Sequence, residues 1–170
     1  QRIMDPLKKF GAKFKSKNRS YLPVKILGSE FLKPINYFEK RGSAQCKSSV
    51  ILAALNTPGK TIINAKKSRD HTELFLKHLK VPLKIINKKK YDIIKIVGEN
   101  QFKSFNYEIP GDISSSAFFI VLTLLSNNSR LKIKNVNVNP SRIGFVKILN
   151  KMGAGIKTKN IKLNKGEKCG

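Results

Sequence analysis

Tryptophan is absent from this chain, and cysteine and methionine occur only twice each in 170 residues, as does histidine. Cys46 and Cys169 stand far apart in sequence with no Cys-x-x-Cys spacing, and two histidines do not complete a ligand set beside them. Neither a disulfide framework nor a zinc site is therefore expected, and both thiols should be reduced. Acidic residues are scarce too, 10 against 35 Lys plus Arg, which leaves a formal charge of +25. The longest apolar stretch runs from Ala117 to Leu125 with Thr123 interrupting it, far short of the roughly 20 residues that span a bilayer. The N-terminus, Gln1 to Asp5, has neither a basic-then-apolar signal layout nor an initiator methionine. We expect a cytoplasmic protein, without membrane partners, whose true start lies upstream.

What is present is ordinary for a globular chain: 40% hydrophobic residues, enough for one sizeable core or two smaller ones. The charge raises nucleic acid as a partner. Only six of the basic residues are arginine, however, and the 29 lysines are spread along nearly every segment among many Asn and Ile. Those three residue types share A/T-rich codons, so genome composition accounts for the excess. A selected nucleic-acid surface more often clusters Arg, with aromatic side chains beside it. Lys88-Lys89-Lys90 before Tyr91 is the best local candidate, and it reads equally as a solvated turn between strands. Small phosphorylated molecules are the simplest anionic partners, and a basic nucleic-acid-binding module stands as the alternative of a different class.

Three polar turns each open a helix after an apolar stretch: Gly42-Ser43-Ala44-Gln45, Lys67-Ser68-Arg69-Asp70-His71 and Gly111-Asp112-Ile113-Ser114-Ser115. A helix start leaves backbone N–H groups unpaired and carries partial positive charge, so hydroxyls placed there make an anion pocket. Ser43 also suits an ordinary N-cap, and a cap can present donors to an anion at the same time. Lys47 shares the helical face of Ser43 one turn deeper and is expected at the surface. Asp70 and Glu73 suit the positive end of their helix, and Asp112 suits the cap of the helix from Ser114. Asn139-Pro140 reads as cap and first residue of a helix carrying Arg142.

An internal repeat gives the architecture. The segment Leu7 to Lys15 recurs as Leu76 to Lys84 and as Leu149 to Lys157, at offsets of 69 and 73 residues. Each copy ends a helix and passes through a Gly- or Pro-containing turn toward a strand. A second helix type also repeats: Ser43 to Leu55 and Ser114 to Leu125 begin with hydroxyl residues and become almost wholly apolar, as buried helices do. Tyr21 to Leu27, Thr61 to Ile63, Tyr91 to Val97 and Leu131 to Val138 carry strand character. The unit reads strand, buried helix, strand, amphipathic helix, strand pair. The chain holds one complete unit and portions of two others, as a fragment of a longer protein would.

The turns Gly42 to Ser48, Ser68 to Glu73 and Pro110 to Ser115, with Asn139 to Arg142 and Lys151 to Ala154, occur in an order that resembles 5-enolpyruvylshikimate-3-phosphate synthases. The resemblance runs from about Arg2 to the end. The enolpyruvyl transferase acting on UDP-N-acetylglucosamine shares the repeat and a similar Gly-Asp segment and remains the runner-up; the Ser-Ala-Gln and Ser-Arg-Asp-His turns fit the shikimate enzyme better. A degraded paralogue that keeps the fold is a third possibility.

The resemblance implies an α/β (α+β) fold of two lobes, each of three βαβαββ units, closing on substrate. Residues 1–109 would belong to the first lobe, and 110–170 would form the hinge, at Glu108 to Gly111, and the start of a unit in the second. The implied reaction moves the carboxyvinyl group of phosphoenolpyruvate to the 5-hydroxyl of shikimate 3-phosphate and releases phosphate, in aromatic amino acid biosynthesis. No metal or organic cofactor and no specific nucleic acid are implied, and the complete protein would be a monomer. By the family pattern Ser43, Ala44, Ser68 and Arg69 bind shikimate 3-phosphate, Ala44 through its backbone N–H, and Gln45 lies between both substrates. The family's acid/base carboxylate and lysine and its phosphoenolpyruvate-gripping arginines match no segment here. The resemblance therefore assigns no catalytic residue to this chain and implies that this polypeptide alone does not turn over.

Overall fold

The structure, a computed structural model, describes residues 1–18, 21–99, 101 and 103–170. The chain forms two compact units, Gln1–Lys103 and Ser104–Gly170. In the first, helix α1 (Met4–Phe10) leads into the antiparallel hairpin of β1 (Lys13–Lys17) and β2 (Tyr21–Leu27). There follow β3 (Asn36–Glu39), α2 (Ala44–Leu55), β4 (Lys60–Lys66), α3 (His71–His78), β5 (Leu83–Asn87) and β6 (Tyr91–Val97). These six elements are the complete βαβαββ unit that the repeat foretells. The sheet order is β3-β4-β6-β5, with β3 and β4 parallel and the other pairs antiparallel. The expected strands Tyr21 to Leu27 and Tyr91 to Val97 form with those ends. Lys88-Lys89-Lys90 is the turn of the β5–β6 hairpin, with the Lys88 N–H donating to the Tyr91 carbonyl at 3.0 Å.

Period decides what packs. Along β4 every second residue, Thr61, Ile63 and Ala65, is buried, as a strand with one face on a core requires. Along α2 the buried set is Cys46, Lys47, Val50, Ile51, Ala54 and Leu55, a stripe at helical spacing. Of these, Ile63, Ala65, Val50, Ile51, Ala54 and Leu55 meet Ile94 and Ile96 of β6 and Leu76 of α3 in one core, with Phe10 of α1 joining it. Leu52, on the opposite side of α2, stays exposed.

The threefold repeat is a helix stop. Gly11 and Ala12 donate to the carbonyls of Lys8 and Leu7, Lys80 and Val81 to those of Lys77 and Leu76, and Gly153 and Ala154 to those of Asn150 and Leu149. This is the paired bonding of a Schellman motif, which needs one left-handed residue. Gly11 (φ 116°) and Gly153 (φ 95°) adopt it freely, whereas the second copy places exposed Lys80 there at φ 58°. Lys80→Gly is accordingly expected to stabilise the first unit by about 1 kcal/mol, measured as a raised urea midpoint with unchanged m-value.

The second unit contains α4 (Ile113–Leu125), α5 (Gly144–Lys151) and a short hairpin of β7 (Lys162–Asn164) and β8 (Glu167–Cys169). Here four expectations are corrected. Leu131 to Val138 forms no strand: Val136 and Asn137 make only isolated bridges, to Gly111 and Cys169, and Asn135 at φ 52° breaks the extension before them. The third repeat copy likewise runs into no strand after Gly153. Because no broad sheet lies beneath it, α4 buries only Ile113 and Ser116, and Phe118 and Leu125 are 79% and 81% exposed. Finally, Asn139 caps a turn rather than the helix: its Oδ1 accepts from the Ser141 N–H, and α5 begins only at Gly144. Arg142 therefore precedes α5. No described helix is long and apolar enough to cross a membrane, and both cysteines are free and buried; burial, then the Glu167 carboxylate, pushes the Cys169 thiol up.

Candidate functional site

Because β3 and β4 run parallel, with Glu39 opposite Ala65, their carboxyl ends lie side by side, and each leads through a short turn into a helix start. In open α/β arrangements that edge is where ligands bind. The two turns are those singled out in the sequence, residues 40–43 before α2 and residues 67–70 before α3. They approach closely: Gly42 sits at φ +71°, and a Cβ placed on it would stand 3.4 Å from the Lys67 carbonyl oxygen.

The first turn is held by Glu39, a buried residue (1% exposed) that the sequence reading passed over. Its carboxylate accepts from the N–H groups of Arg41 (3.0 Å), Gly42 (2.6 Å) and Ser43 (3.1 Å). Ser43 is thereby set at the N-cap of α2 in an extended conformation, its Oγ accepting from the Cys46 N–H. Since that oxygen accepts, the hydroxyl proton is left to donate outward. The Ala44 and Gln45 N–H groups, both in the first turn of α2, have no acceptor among the described residues. Gln45 is exposed and Ala44 half-buried.

The second turn and the start of α3 are fastened to α2 by three contacts, one to the turn and two to the helix. Lys47 Nζ donates to the Arg69 carbonyl at 2.8 Å and pairs with Glu73 Oε1 at 2.5 Å, and Ser48 Oγ meets Thr72 Oγ1 at 2.7 Å. Lys47 was expected at the surface; its side chain is 3% exposed. Position four after Ser43 faces the core stripe, and Glu73 supplies the counter-charge that lets the ammonium stay there. Ser68 Oγ is shielded and without a hydrogen-bond partner among the described residues, and Arg69 is exposed. Ser43, Ala44, Gln45, Ser68 and Arg69 are thus gathered at one edge of one sheet. The arrangement offers two N–H groups, two hydroxyls and a guanidinium, with Lys40, Arg41 and Lys67 in the same two turns and Lys66 at the end of β4. These are the donor types that a phosphate-sized anion requires.

In the second unit Asp112 caps α4 as expected, accepting from the Ser114 N–H at 3.1 Å. Arg142 folds onto that same helix start, its Nη2 2.5 Å from both Asp112 Oδ1 and Ser114 Oγ. It is engaged at that helix start.

The family model for EPSP synthase (3-phosphoshikimate 1-carboxyvinyltransferase) matches residues 1–168. The chain belongs to the EPSP synthase family. It is 42% identical, across its full length, to the 3-phosphoshikimate 1-carboxyvinyltransferase of Caldicellulosiruptor bescii and 41% identical to that of Petrotoga mobilis. It covers 40% and 39% of those two proteins. A solved EPSP synthase from Acinetobacter baumannii superposes with a TM-score of 0.80 at 33% identity, over 99% of this chain and 37% of that one. The chain therefore carries a mixed α/β portion of the EPSP synthase fold, about two fifths of the length of the curated relatives it matches.

Proposed function

We propose that this chain is part of an enzyme that transfers the carboxyvinyl group of phosphoenolpyruvate to the 5-hydroxyl of shikimate 3-phosphate, with release of phosphate, and that its share of the work is to hold the phosphorylated sugar-like acceptor. The observation that carries this reading is the meeting of the α2 and α3 starts at the carboxyl edge of β3 and β4. The Ser43 hydroxyl, the Ala44 N–H, the Ser68 hydroxyl and the Arg69 guanidinium would surround the acceptor's phosphate. Gln45, exposed beside Ala44, would lie between that acceptor and phosphoenolpyruvate. None of these groups has to break a described contact between side chains to turn toward an anion. Residues 1–109 would sit in one lobe and 110–170 in the hinge and the beginning of another, in a cytoplasmic monomer that needs no metal or organic cofactor.

Titrating the isotope-labelled chain with shikimate 3-phosphate tests the reading. The amide signals of Ser43, Ala44, Gln45, Ser68 and Arg69 are expected to shift together. Arg69→Ala should weaken the response about tenfold, the loss of one charge-assisted contact, while Lys88→Ala in the β5–β6 turn leaves it unchanged. Amides at these two turns that ignore the ligand at high millimolar concentration, while lysine-rich segments elsewhere respond equally to any polyanion, would favour a nonspecific basic surface instead.

A further inference from the structure

Lys47 is buried and therefore does not itself contact a ligand in solvent, yet its ammonium ties α2 both to the turn before α3 and to the first turn of α3 itself. Its ammonium reaches the Arg69 carbonyl and Glu73 Oε1. Glu73 has no second hydrogen bond: its Oε2 is buried and without a partner among the described residues. The ammonium thus has one charged partner and one backbone partner, and the backbone partner belongs to a residue of the proposed anion site. The Ser48 to Thr72 contact lies beside it, one residue further along α2 and one residue earlier in α3. Elsewhere in this turn the Lys67 side chain reaches Asp92 of β6 at 3.7 Å, and Ser68 Oγ has no hydrogen-bond partner among the described residues.

We propose that Lys47 is a positioning residue that sets the spacing between the Ser43–Gln45 and Ser68–Arg69 turns, so that the two converge on a single phosphate group; this rests on the reading of those turns as the shikimate 3-phosphate site. Burial of an ammonium against a carboxylate is a poor way to gain stability, since apolar residues of similar size commonly do as well. A hydrogen bond from that ammonium to the Arg69 carbonyl is something no apolar side chain replaces. The distinction gives the test. In the double variant K47M/E73L both buried charges are gone and the core is filled, so a merely structural role is restored while the tie to Arg69 stays broken.

Two readouts on the ligand-free and ligand-bound 170-residue chain decide the matter. Without ligand, amide exchange at Ser68, Arg69 and Asp70 is expected to rise about tenfold in K47M/E73L, with β4 and β6 exchange as in the parent, because local opening is set by the few bonds that hold a segment. With shikimate 3-phosphate, Ala44 and Gln45 should still shift, Ser68 and Arg69 should not, and affinity should fall about tenfold or more, since small misplacements of a binding group are costly. Parent-like exchange at 68–70 overturns the proposal whatever the ligand does, and so does parent-like affinity in the double variant. A parent chain whose Ser43–Gln45 amides ignore the ligand counts against the proposed function, and the exchange measurement then decides the role of Lys47 alone. If K47M/E73L does not fold, Lys47→Arg, which keeps charge and donor, serves: its 68–70 exchange should stay near that of the parent, and a tenfold rise overturns the proposal.

Discussion

Lys47→Met alone is expected to destabilise the first unit by about 3–5 kcal/mol, the cost of leaving one member of a buried ion pair without the other. The physical reason is specific to Glu73. Oε1 would lose its 2.5 Å ammonium partner, and Oε2 already lacks any among the described residues, so an ionised carboxylate would be stranded in the core stripe. Amide exchange of β4 and β6, whose Ile63 and Ile94 lie opposite each other and fully buried, reports the opening free energy of this unit directly. Adding Glu73→Leu should recover most of the loss. A single variant as stable as the parent would mean that Glu73 turns outward or finds another partner at little expense.

Glu39→Ala is the second large effect, about 3 kcal/mol, because a carboxylate accepting several backbone N–H groups makes bonds roughly twice as strong as neutral ones. Here the acceptor is nearly solvent-free and serves Arg41, Gly42 and Ser43. Its negative charge also faces the positive end of α2. Without it the turn that fixes Ser43 loses its anchor, so the Cys46 N–H should exchange faster as the Ser43 cap opens, ahead of the rest of α2. Glu39→Gln, which keeps one good acceptor, should lose about half as much. An alanine variant with a parent-like melting point and an intact cap would show that the turn is fixed by β3 and Gly42 without the carboxylate.

Both effects arise from residues whose importance is invisible along the chain. Glu39 three places before Gly42 resembles any acidic residue near a turn, although a carboxylate just upstream of a helix cap is a pattern that a sequence reader could seek. Lys47 and Glu73 are 26 positions apart, and no window of helical or strand period joins them. By contrast the Ser43 and Asp112 caps, the Gly11 and Gly153 helix stops and the strand from Tyr91 to Val97 were legible, since each is decided within about five residues by bonding that the local sequence permits. The same local logic misled in the second unit. Leu131 to Val138 has the composition of a strand and Ser114 to Leu125 that of a buried helix, but a strand needs a neighbour and an apolar helix a floor, and neither is supplied by composition.

By itself the sequence determined the repeat, its helix stops and caps, the single complete βαβαββ unit and the family, because short-range hydrogen bonding and hydrophobic period are written in consecutive residues. Only the tertiary structure decided that the parallel pairing of β3 with β4 brings Ser43 and Ser68 to one edge, that Lys47 turns inward to Glu73 and Arg69, and that Arg142 is engaged with Asp112. Those outcomes depend on which distant groups burial leaves in need of a partner, and that is settled when the elements pack.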